Sequence, residues 1–378
     1  MIKKFLFVVN DPGFFLSHRL PLAKAARNKG FDVQVATKGG SAVEKIEQLG
    51  FTHHTLTLSR SGRNPLKEFA TFFSLWRLFR HLRPDLVHLV TIKPVLYGGI
   101  AARLAKVPGV ISAISGLGFL FVKRAGLWGH FFRYAVLFLY RLSMGHPNQR
   151  VIFQNLTDMS TLVDAGGVSK DKTRLIRGSG VDLRAFPVIP EFDGIPVVVM
   201  ASRLLKDKGV YEFVEAARIL QSRGVNARFQ LIGDPDPGNP ESITAESIQA
   251  WREEGIVEYL GYRTDIPDLF SQAHIITLPS YYGEGLPKVL IEAAASGRAV
   301  ITTDMPGCRD AIEPGVTGLL IPIRDSNALA SAIQQLIENP SLRQQMGKAG
   351  RRLAKKEFSI EKVVHAHLEI YRELMASA

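Results

Sequence analysis

Residues 278–293 read LPSYYGEGLPKVLIEA, and this stretch carries the strongest pattern in the chain. The apolar run at its start is typical of a buried strand, and Pro287 is typical of the first turn of a helix, so the stretch predicts a strand, a loop and a helix. Gly285 lets a ligand approach the backbone closely, and the free amides of the first helical turn form an anion site. With Glu284 in the loop and Glu292 on the helix, the pattern favours a ligand-binding loop over two unrelated surface carboxylates.

The same alternation of short apolar strands and amphipathic helices runs outward from this stretch through both halves of the chain. The elements predicted for the first half are strands at Lys4–Val9, Asp32–Thr37, His54–Leu58, Leu86–Val90 and Val110–Ile114, and helices at Leu16–Lys29, Leu66–Arg80 and Val95–Lys106, with one more helix ending at Gly50. Such alternation indicates parallel sheets covered on both faces, hence an α/β fold of doubly wound domains. In two such domains, the carboxyl ends of the strands would face a central substrate crevice.

The pattern restarts after the Pro- and Gly-containing stretch 186–194, which we interpret as a linker. The elements predicted beyond it are strands at Val197–Ala201, Ala227–Ile232, Val257–Leu260, Ile275–Leu278, Ala299–Thr302 and Gly318–Ile321, and helices at Val210–Arg223, Ala328–Glu338, Leu342–Lys356 and Ile360–Met375. We therefore expect a first domain over residues 1–188, a second over 195–358, and a final helix within 359–378.

Composition narrows the class of protein further. The 378 residues are 46% hydrophobic and 22% charged, which excludes a disordered, collagenous or coiled-coil chain. A single cysteine, Cys308, excludes an internal disulfide. The apolar run at Phe5–Val9 is short for a signal peptide, and no stretch approaches the ~20 apolar residues of a spanning helix. We expect a cytoplasmic protein.

The formal charge of +12 suggests an anionic partner, and the charge is unevenly distributed. No Asp or Glu lies between Asp85 and Asp158. Within that interval, residues 119–142 read FLFVKRAGLWGHFFRYAVLFLYRL, where aromatic and aliphatic residues alternate with cations such as Lys123, Arg124 and Arg133. Such a segment is typical of a helix in a bilayer interface, and the alternative is a core helix with a few solvated cations. We favour the inner-leaflet surface of a membrane, and expect no nucleic acid because no binding module accompanies the charge.

Cations follow the first strand of the second half, in the sequence ASRLLKDKG at residues 201–209. At the carboxyl end of that strand, Arg203 is suited to grip a diphosphate with two hydrogen bonds, and Lys208 to act as a point charge on the leaving oxygen. In the first half, the turn at residues 10–19 reads NDPGFFLSHR, where Gly13 permits close approach of a phosphate or sugar and His18 lies in or near the first helical turn.

Three other patterns carry less weight. Gly116 and Gly118 follow a predicted strand, but the third glycine of the dinucleotide fingerprint is absent, so NAD binding is poorly supported. Two aspartates within the stretch GDPDP at 233–237 have metal-ligand spacing, but the surrounding turn-forming residues favour a plain loop. The pairs His53–His54 and His365–His367 lack the partners of a zinc site. We expect no metal and no cofactor.

The motifs around Glu284 and Arg203 resemble those of the retaining glycosyltransferases of family 4. Seven residues separate Glu284 from Glu292, as in the E-x7-E signature of that family, and Arg203, Lys208 and Gly209 stand in its upstream motif. The resemblance covers essentially the whole chain. The N-terminal stretches FFLSHRLPLA, RSGRNP and SGLGFLF are similar to the branch that extends undecaprenyl-diphosphate-linked sugars.

The resemblance implies a GT-B fold, with two Rossmann-like domains and a last helix that crosses back onto the first. It also implies roles for individual residues. Arg203 and Lys208 would neutralise the donor diphosphate, Glu292 would hold the ribose, and Glu284 with the neighbouring backbone amides would orient the transferred sugar. The further substrate-binding candidates are Gly13, Gly116, Gly118, Gly233, Gly285, Leu286 and Pro287, with the base near Gly261, Tyr262, Arg263 and Thr264. The family needs no metal, because cations and a helix N-terminus replace it.

One departure from the family concerns the acceptor side. Many members carry a histidine in the loop where this chain has Ser115-Gly116-Leu117-Gly118, and no histidine stands there. His18 is one candidate to replace it. The alternative is a same-face displacement in which a donor phosphate oxygen takes the acceptor proton.

We therefore expect a retaining glycosyltransferase that moves a sugar, such as an N-acetylhexosamine, from a nucleotide sugar, with UDP favoured, to a polyprenyl-diphosphate-linked saccharide in surface polysaccharide or glycan biosynthesis. Residues 119–142 would hold it at the cytoplasmic face of the inner membrane. Three alternatives remain open: a hexosyltransferase with a soluble acceptor, a UDP-sugar epimerase of the same fold, and a non-catalytic membrane scaffold.

Overall fold

The structure, a computed structural model, describes residues 2–57, 65–118 and 127–377, without the side chains of Pro65 and of residues 127–133. The chain divides into two compact units. Unit 1 comprises Met1–Ser179 together with Glu361–Ala378, and unit 2 comprises Gly180–Ile360. The division therefore falls several residues before the predicted boundary at residue 188.

Unit 1 is built on a parallel sheet. Its strands are β1 (Lys4–Val9), β2 (Asp32–Thr37), β3 (Thr52–Thr55), β4 (Leu86–Val90), β5 (Gly109–Ile114), β6 (Gln149–Phe153) and β7 (Thr173–Leu175). Within the described residues they lie in the order β3-β2-β1-β4-β5-β6-β7, and every pair is parallel. β1, β4 and β5 are almost entirely buried, which explains why their sequences are mainly apolar, with His88 and Ser112 as buried polar exceptions.

Helices cover both faces of this sheet. They are α1 (Pro12–His18), α2 (Leu20–Asn28), α3 (Val43–Gln48), α4 (Pro65–Leu82), α5 (Gly99–Leu104), α6 (Leu127–Ser143), α7 (Leu156–Asp164) and the last helix, here α14 (Ile360–Ala376). α14 packs on the central strands, where the ring of Tyr371 meets that of Phe5 with centroids 4.7 Å apart. Its buried face (Val363, His367, Ile370, Tyr371 and Leu374) makes it part of the unit 1 core.

Unit 2 repeats the architecture. Its strands are β8 (Val197–Ala201), β9 (Arg228–Ile232), β10 (Glu258–Gly261), β11 (Ile275–Leu278), β12 (Ala299–Thr303) and β13 (Gly318–Ile321). They form one parallel sheet in the order β10-β9-β8-β11-β12-β13. The covering helices are α8 (Val210–Ser222), α9 (Ala245–Glu253), α10 (Ile266–Ser271), α11 (Lys288–Ala295), α12 (Ser326–Glu338) and α13 (Pro340–Leu353). Both sheets confirm the doubly wound α/β class.

The stretch 186–194 belongs to unit 2 rather than lying between the units. Glu191 forms a buried ion pair with Arg343, in which Nη2 lies 2.8 Å from Oε2. Arg298 donates from Nη2 to the carbonyl oxygen of Ile189 at 2.9 Å. Proline and glycine content suggested a linker, but the two arginines that bind this stretch lie more than a hundred residues later in the chain.

Several predicted elements of unit 1 differ from the observed ones. The predicted helix Leu16–Lys29 is two helices that meet at Arg19, a buried residue. The predicted helix Val95–Lys106 begins as a π-helical turn at Pro94–Gly98. The sequence reading did not find β6, α7 and β7. Of the predicted membrane segment 119–142, residues 119–126 lie outside the described residues, and the rest falls in α6.

No helix in the described parts of the chain is both long enough and apolar enough to cross a membrane.

Candidate active site

The loops that follow β8 and β11 are held together at the carboxyl edge of the unit 2 sheet. The backbone amide of Tyr281 donates to the carbonyl oxygen of Asp207 at 3.0 Å, and the Ser280 hydroxyl donates to the same oxygen at 3.1 Å. Gly209 has φ +81°, and a Cβ there would lie 2.3 Å from the Pro279 carbonyl oxygen. The close contact requires glycine at this position.

This arrangement brings Lys208 and Glu284 into direct contact. The Lys208 ammonium forms an ion pair with Oε1 of Glu284, and the two side chains are only 13% and 15% exposed. The Ser280 hydroxyl donates to the same carboxylate oxygen at 3.2 Å. The ring of Tyr282 covers the ammonium, with its centroid 5.5 Å from Nζ. Two of the predicted site residues thus form one half-enclosed polar centre.

A further glycine shapes this centre, and the sequence reading did not find it. Gly307 follows β12 with φ +83°, and a Cβ there would lie 2.4 Å from the carbonyl oxygen of Glu284 and 2.6 Å from that of Gly285. The Glu284 loop therefore rests directly on the Gly307 backbone. The neighbouring Thr303 hydroxyl donates to the Ser280 carbonyl oxygen from the same strand end.

Arg203 lies on the neighbouring loop and pairs with a different carboxylate. Its Nη1 is 3.0 Å from Oδ2 of Asp236, and the arginine side chain is half exposed. Gly233 begins the loop that carries Asp236; its φ is +124° and a Cβ would lie 1.8 Å from the Ser202 carbonyl oxygen. Tyr259 donates from its hydroxyl to Asp234 at 3.2 Å. Asp234 and Asp236 are thus bound by the protein side chains of Tyr259 and Arg203. Among the described residues, no group of side chains could hold a metal ion.

Glu292 lies on α11, directly after the loop. Lys288 places Nζ 3.2 Å from its Oε1, and the Glu292 side chain is 14% exposed. Burial raises the pKa of the Glu292 carboxyl, although the Lys288 charge opposes the shift. Pro287 caps the helix in extended geometry, so Gly285 and Leu286 immediately precede the first helical turn.

The predicted base-binding stretch lies at the end of β10. Gly261 has φ +64°, and the Tyr262 side chain is 72% exposed. The Arg263 guanidinium bonds to the carboxylate of Asp265, with Nε 2.8 Å from Oδ1. The role of these residues, Thr264 included, stays a prediction.

The unit 1 candidates lie at the carboxyl ends of β1 and β5. His18 is the last residue of α1, not in its first turn as expected, and it stacks on Phe14 with ring centroids 4.1 Å apart. Its Nδ1 is 2.7 Å from the Ser17 hydroxyl oxygen. Asp11 caps α1 by accepting from the Phe14 amide. A Cβ at Gly13 would lie 3.1 Å from Oδ1 of Asp11, so a side chain at this position would crowd the capping carboxylate.

Gly116 and Gly118 follow β5 with φ of +111° and +53°. Both glycines therefore have positive φ, a backbone conformation that residues other than glycine rarely adopt.

Comparison with known proteins now identifies the class of protein. Residues 184–353 match the family described as glycosyl transferases group 1, and residues 4–155 match that described as glycosyl transferase 4-like. The chain is also 30% identical, over 88% of its length and 91% of the relative, to the N,N'-diacetylbacillosaminyl-diphospho-undecaprenol alpha-1,3-N-acetylgalactosaminyltransferase of Campylobacter jejuni. The chain belongs to the group 1 glycosyltransferases. The predicted family is confirmed, and so is the prediction that the protein is a glycosyltransferase.

Two further relatives extend the comparison. This glycosyltransferase is 25% identical, over 93% of its length and 91% of the relative, to the UDP-Gal:alpha-D-GlcNAc-diphosphoundecaprenol alpha-1,3-galactosyltransferase of Escherichia coli. Among solved structures, Anabaena HepE in complex with UDP superposes with a TM-score of 0.77 at 19% identity, covering 98% of this chain and all of the other. At that identity the likeness concerns the fold, and it confirms the expected GT-B class.

Proposed function

We propose that this glycosyltransferase moves a sugar, with retention of configuration, from a UDP-sugar to a polyprenyl-diphosphate-linked saccharide in surface polysaccharide or glycan assembly. The names of the Campylobacter and Escherichia relatives support the lipid-linked acceptor, and UDP bound to the Anabaena neighbour supports the donor. The observation that carries the proposal is the half-enclosed ion pair of Lys208 and Glu284 beside the start of α11.

The charges in unit 2 suit a nucleotide diphosphate. Lys208 and Arg203 are each paired with a carboxylate, so the site is electrically balanced before the donor arrives. A diphosphate would compete for both cations, and the backbone amides at the start of α11 would add hydrogen bonds. Glu284 would then accept hydrogen bonds from hydroxyls of the transferred sugar. Glu292 would accept from the ribose diol, and its raised pKa reflects a poorly solvated position.

The retaining step is proposed as a same-face displacement. The bond between the anomeric carbon and the diphosphate oxygen breaks, the bond to the acceptor hydroxyl oxygen forms, and the acceptor proton passes to the departing diphosphate. Lys208 would stabilise the negative charge that develops on the leaving oxygen. His18 remains the alternative acceptor of the proton. The ion pair that holds Glu284 favours a positioning role for this carboxylate over a nucleophilic one.

We also propose that unit 1 carries a membrane-facing surface, which includes residues 119–142. In its described part, α6 exposes Tyr134, Phe138 and Leu142, which are spaced to share one face. α4 exposes Leu66, Phe69 and Phe73 in the same way, and both helices contact the segment 94–104. Exposed aromatic residues among cations are typical of an interfacial surface, and they would hold the enzyme peripherally beside its lipid-linked acceptor.

The test of the activity is UDP release from a panel of UDP-sugars, with and without a short polyprenyl-diphosphate-linked saccharide in detergent. We expect release from one donor, and only with the lipid-linked acceptor present. Release that needs only a soluble sugar would support the soluble-acceptor alternative, and an altered UDP-sugar without acceptor would support the epimerase. Donor binding without turnover, unchanged in Glu284→Ala and Lys208→Ala, would support the scaffold and contradict the proposal.

The membrane surface has its own test. We expect the triple variant Lys123→Ala, Arg124→Ala and Arg133→Ala to lose binding to anionic liposomes, at about 1 kcal/mol per cation. The matched control removes three exposed lysines elsewhere: Lys45, Lys170 and Lys348. Equal liposome binding by the triple variant and the wild type would contradict the membrane proposal.

A further inference from the structure

The loop that connects β9 to α9 is long, and it lies against the loop that carries Arg203. It comprises residues 233–244, whereas about 2–6 residues are usual between a strand and a helix of an α/β domain. Long connections at the carboxyl edge of such a sheet commonly carry function. The sequence predicts a plain loop for its first residues, GDPDP, so what they contact in the structure decides whether they have a further role.

Backbone hydrogen bonds fix this loop to residues 202–206. The amide of Leu204 donates to the carbonyl oxygen of Asp234 at 3.0 Å, and the amide of Ile243 donates to the carbonyl oxygen of Leu204 at 2.9 Å. The amide of Lys206 donates to the carbonyl oxygen of Glu241 at 2.8 Å. Both the beginning and the end of the long loop are therefore bound to the Arg203 loop.

Asp236 lies in a turn of this loop that is braced from within. Its backbone amide donates to the Ser242 hydroxyl at 2.9 Å, and its carbonyl oxygen accepts from the Asn239 amide at 2.7 Å. The Asn239 carbonyl oxygen accepts from the Ser242 amide at 3.0 Å. Contacts within its own loop thus set the position of Asp236, in addition to its ion pair with Arg203.

The two partners of this ion pair differ in exposure. Nη1 of Arg203 lies 3.0 Å from Oδ2 of Asp236, and the arginine side chain is 53% exposed while the aspartate side chain is 12% exposed. The guanidinium therefore faces solvent, where an anion can reach it, and the carboxylate lies behind it in the protein. Ion pairs with an exposed partner contribute little to stability, so folding gives little reason for this pair.

Arg203 acts on the same region as Lys208. Burial raises the pKa of the Tyr282 hydroxyl, and the charge of Arg203 opposes that shift. The ring of Tyr282 also covers the Lys208 ammonium, with its centroid 5.5 Å from Nζ. An anion that binds at this part of the carboxyl edge therefore meets two cations, and a carboxylate already neutralises each of them.

We infer that Asp236 is a positioning residue that competes with the diphosphate for Arg203 and thereby favours the release of UDP. The inference rests on the proposed function, in which Arg203 and Lys208 bind the diphosphate of the donor. Bound UDP draws the hydrogen bonds of the guanidinium towards its phosphate oxygens, and the Asp236 carboxylate takes them back when UDP leaves. Uridine carries no phosphate and is outside this competition.

The test measures the Kd of UDP and of uridine by calorimetry for the wild type and Asp236→Asn. We expect Asp236→Asn to bind UDP about three- to tenfold more tightly and uridine with unchanged affinity. The matched control is Asp234→Asn, which removes the same charge from the same loop but faces the Tyr259 hydroxyl instead of a cation. We expect this control to change the Kd of UDP by less than about twofold, because salt screens a charge that lacks direct contact with Arg203.

A double-mutant cycle separates the competition from a structural role. In Arg203→Met, the further change Asp236→Asn should no longer tighten UDP binding. An equal gain with and without Arg203 would show that Asp236 acts through another group, and it would overturn the inference. Melting temperatures check that each variant folds, and Asp236→Ser is the second variant of the same turn.

The remaining outcomes distinguish the inference from the proposed function. UDP binding of equal affinity in the wild type and Asp236→Asn contradicts the inference alone. Weaker UDP binding in Asp236→Asn also contradicts it, because the carboxylate would then support Arg203 instead of competing for it. A wild type and an Asp236→Asn variant that both fail to bind UDP contradict the proposed donor and, with it, the inference.

Discussion

At the scale of single residues, the centre of unit 2 depends on a cation that is poorly exposed and already paired. Lys208 contacts Glu284 beneath the ring of Tyr282, in surroundings where a charge acts more strongly than in water. The E-x7-E spacing and the motif around Lys208 are local patterns, so the sequence predicted both residues. The contact between them depends on Gly209 and Gly307, which allow two loops to approach.

We expect Lys208→Met to lower kcat/KM for transfer by about 100–1,000-fold, because it removes the charge that we propose stabilises the leaving diphosphate. Lys206→Met, two residues earlier in the same turn, is the matched control and should stay within a few-fold of the wild type. Steady-state kinetics with the working donor and acceptor measure both, and melting temperatures check that the variants fold. Wild-type kcat/KM in Lys208→Met would show that Lys208 does not contribute to sugar transfer.

At the scale of elements, α14 carries a buried polar cluster onto the unit 1 sheet. His88 on β4 accepts or donates through Nδ1 to the Tyr371 hydroxyl at 3.0 Å, and its ring lies 5.7 Å from that of His367. Arg19 is buried nearby. Burial, followed by the Arg19 charge, lowers the pKa of His367 to about 3, and burial followed by the charges of His367 and Arg19 lowers that of His88.

The sign of the resulting pH dependence follows from proton counting. Above about pH 6.5 both histidines are neutral in the folded and in the unfolded chain. At such pH values they therefore do not lower the unfolding free energy. As the pH falls below that value, the unfolded chain takes up protons that the folded chain refuses down to about pH 3 at His367. Each such histidine therefore removes about 1.4 kcal/mol of unfolding free energy per pH unit.

We expect His367→Gln to reduce the slope of unfolding free energy against pH between 6 and 4 by about 1.4 kcal/mol per unit. His365, two residues earlier on α14, is 70% exposed, and His365→Gln is the matched control that should leave the slope unchanged. Urea unfolding at half-unit pH steps measures both. Parallel curves of unfolding free energy against pH for the wild type and His367→Gln would contradict this account. They would show that His367 takes up its proton as readily in the folded chain as in the unfolded chain.

At the scale of the whole molecule, the last helix in the sequence belongs to the core of the first unit. α14 buries Val363, Ile370, Tyr371 and Leu374 against strands that lie more than two hundred residues earlier. Glu373 on the same helix pairs with Arg150 and Arg174 of β6 and β7. Unit 1 is therefore incomplete until the end of the chain has been added.

We expect a chain ending at residue 359 to lose hydrogen-exchange protection across unit 1 while the strands of unit 2 keep theirs. The physical reason is that the deletion exposes the apolar face of β1 and β4 that α14 covers. Leu374→Ala is the milder form and should cost about 2–5 kcal/mol of unfolding free energy. The matched control is Met375→Ala, next to Leu374 but partly exposed. Full protection of unit 1 in the shortened chain would contradict this account.

The alternation of strands and helices, the doubly wound class and the Glu284 loop were readable from the sequence because each depends on residues close together in the chain. Periodicity marks a strand or helix within a dozen residues, and a signature of fixed spacing marks a loop. Contacts between residues that lie far apart in the sequence leave no local sequence pattern of this kind. The contact of the Glu284 loop with Gly307 and the binding of residues 186–194 by Arg298 and Arg343 arise only when separate strands and helices pack together. Only the tertiary structure therefore decides them.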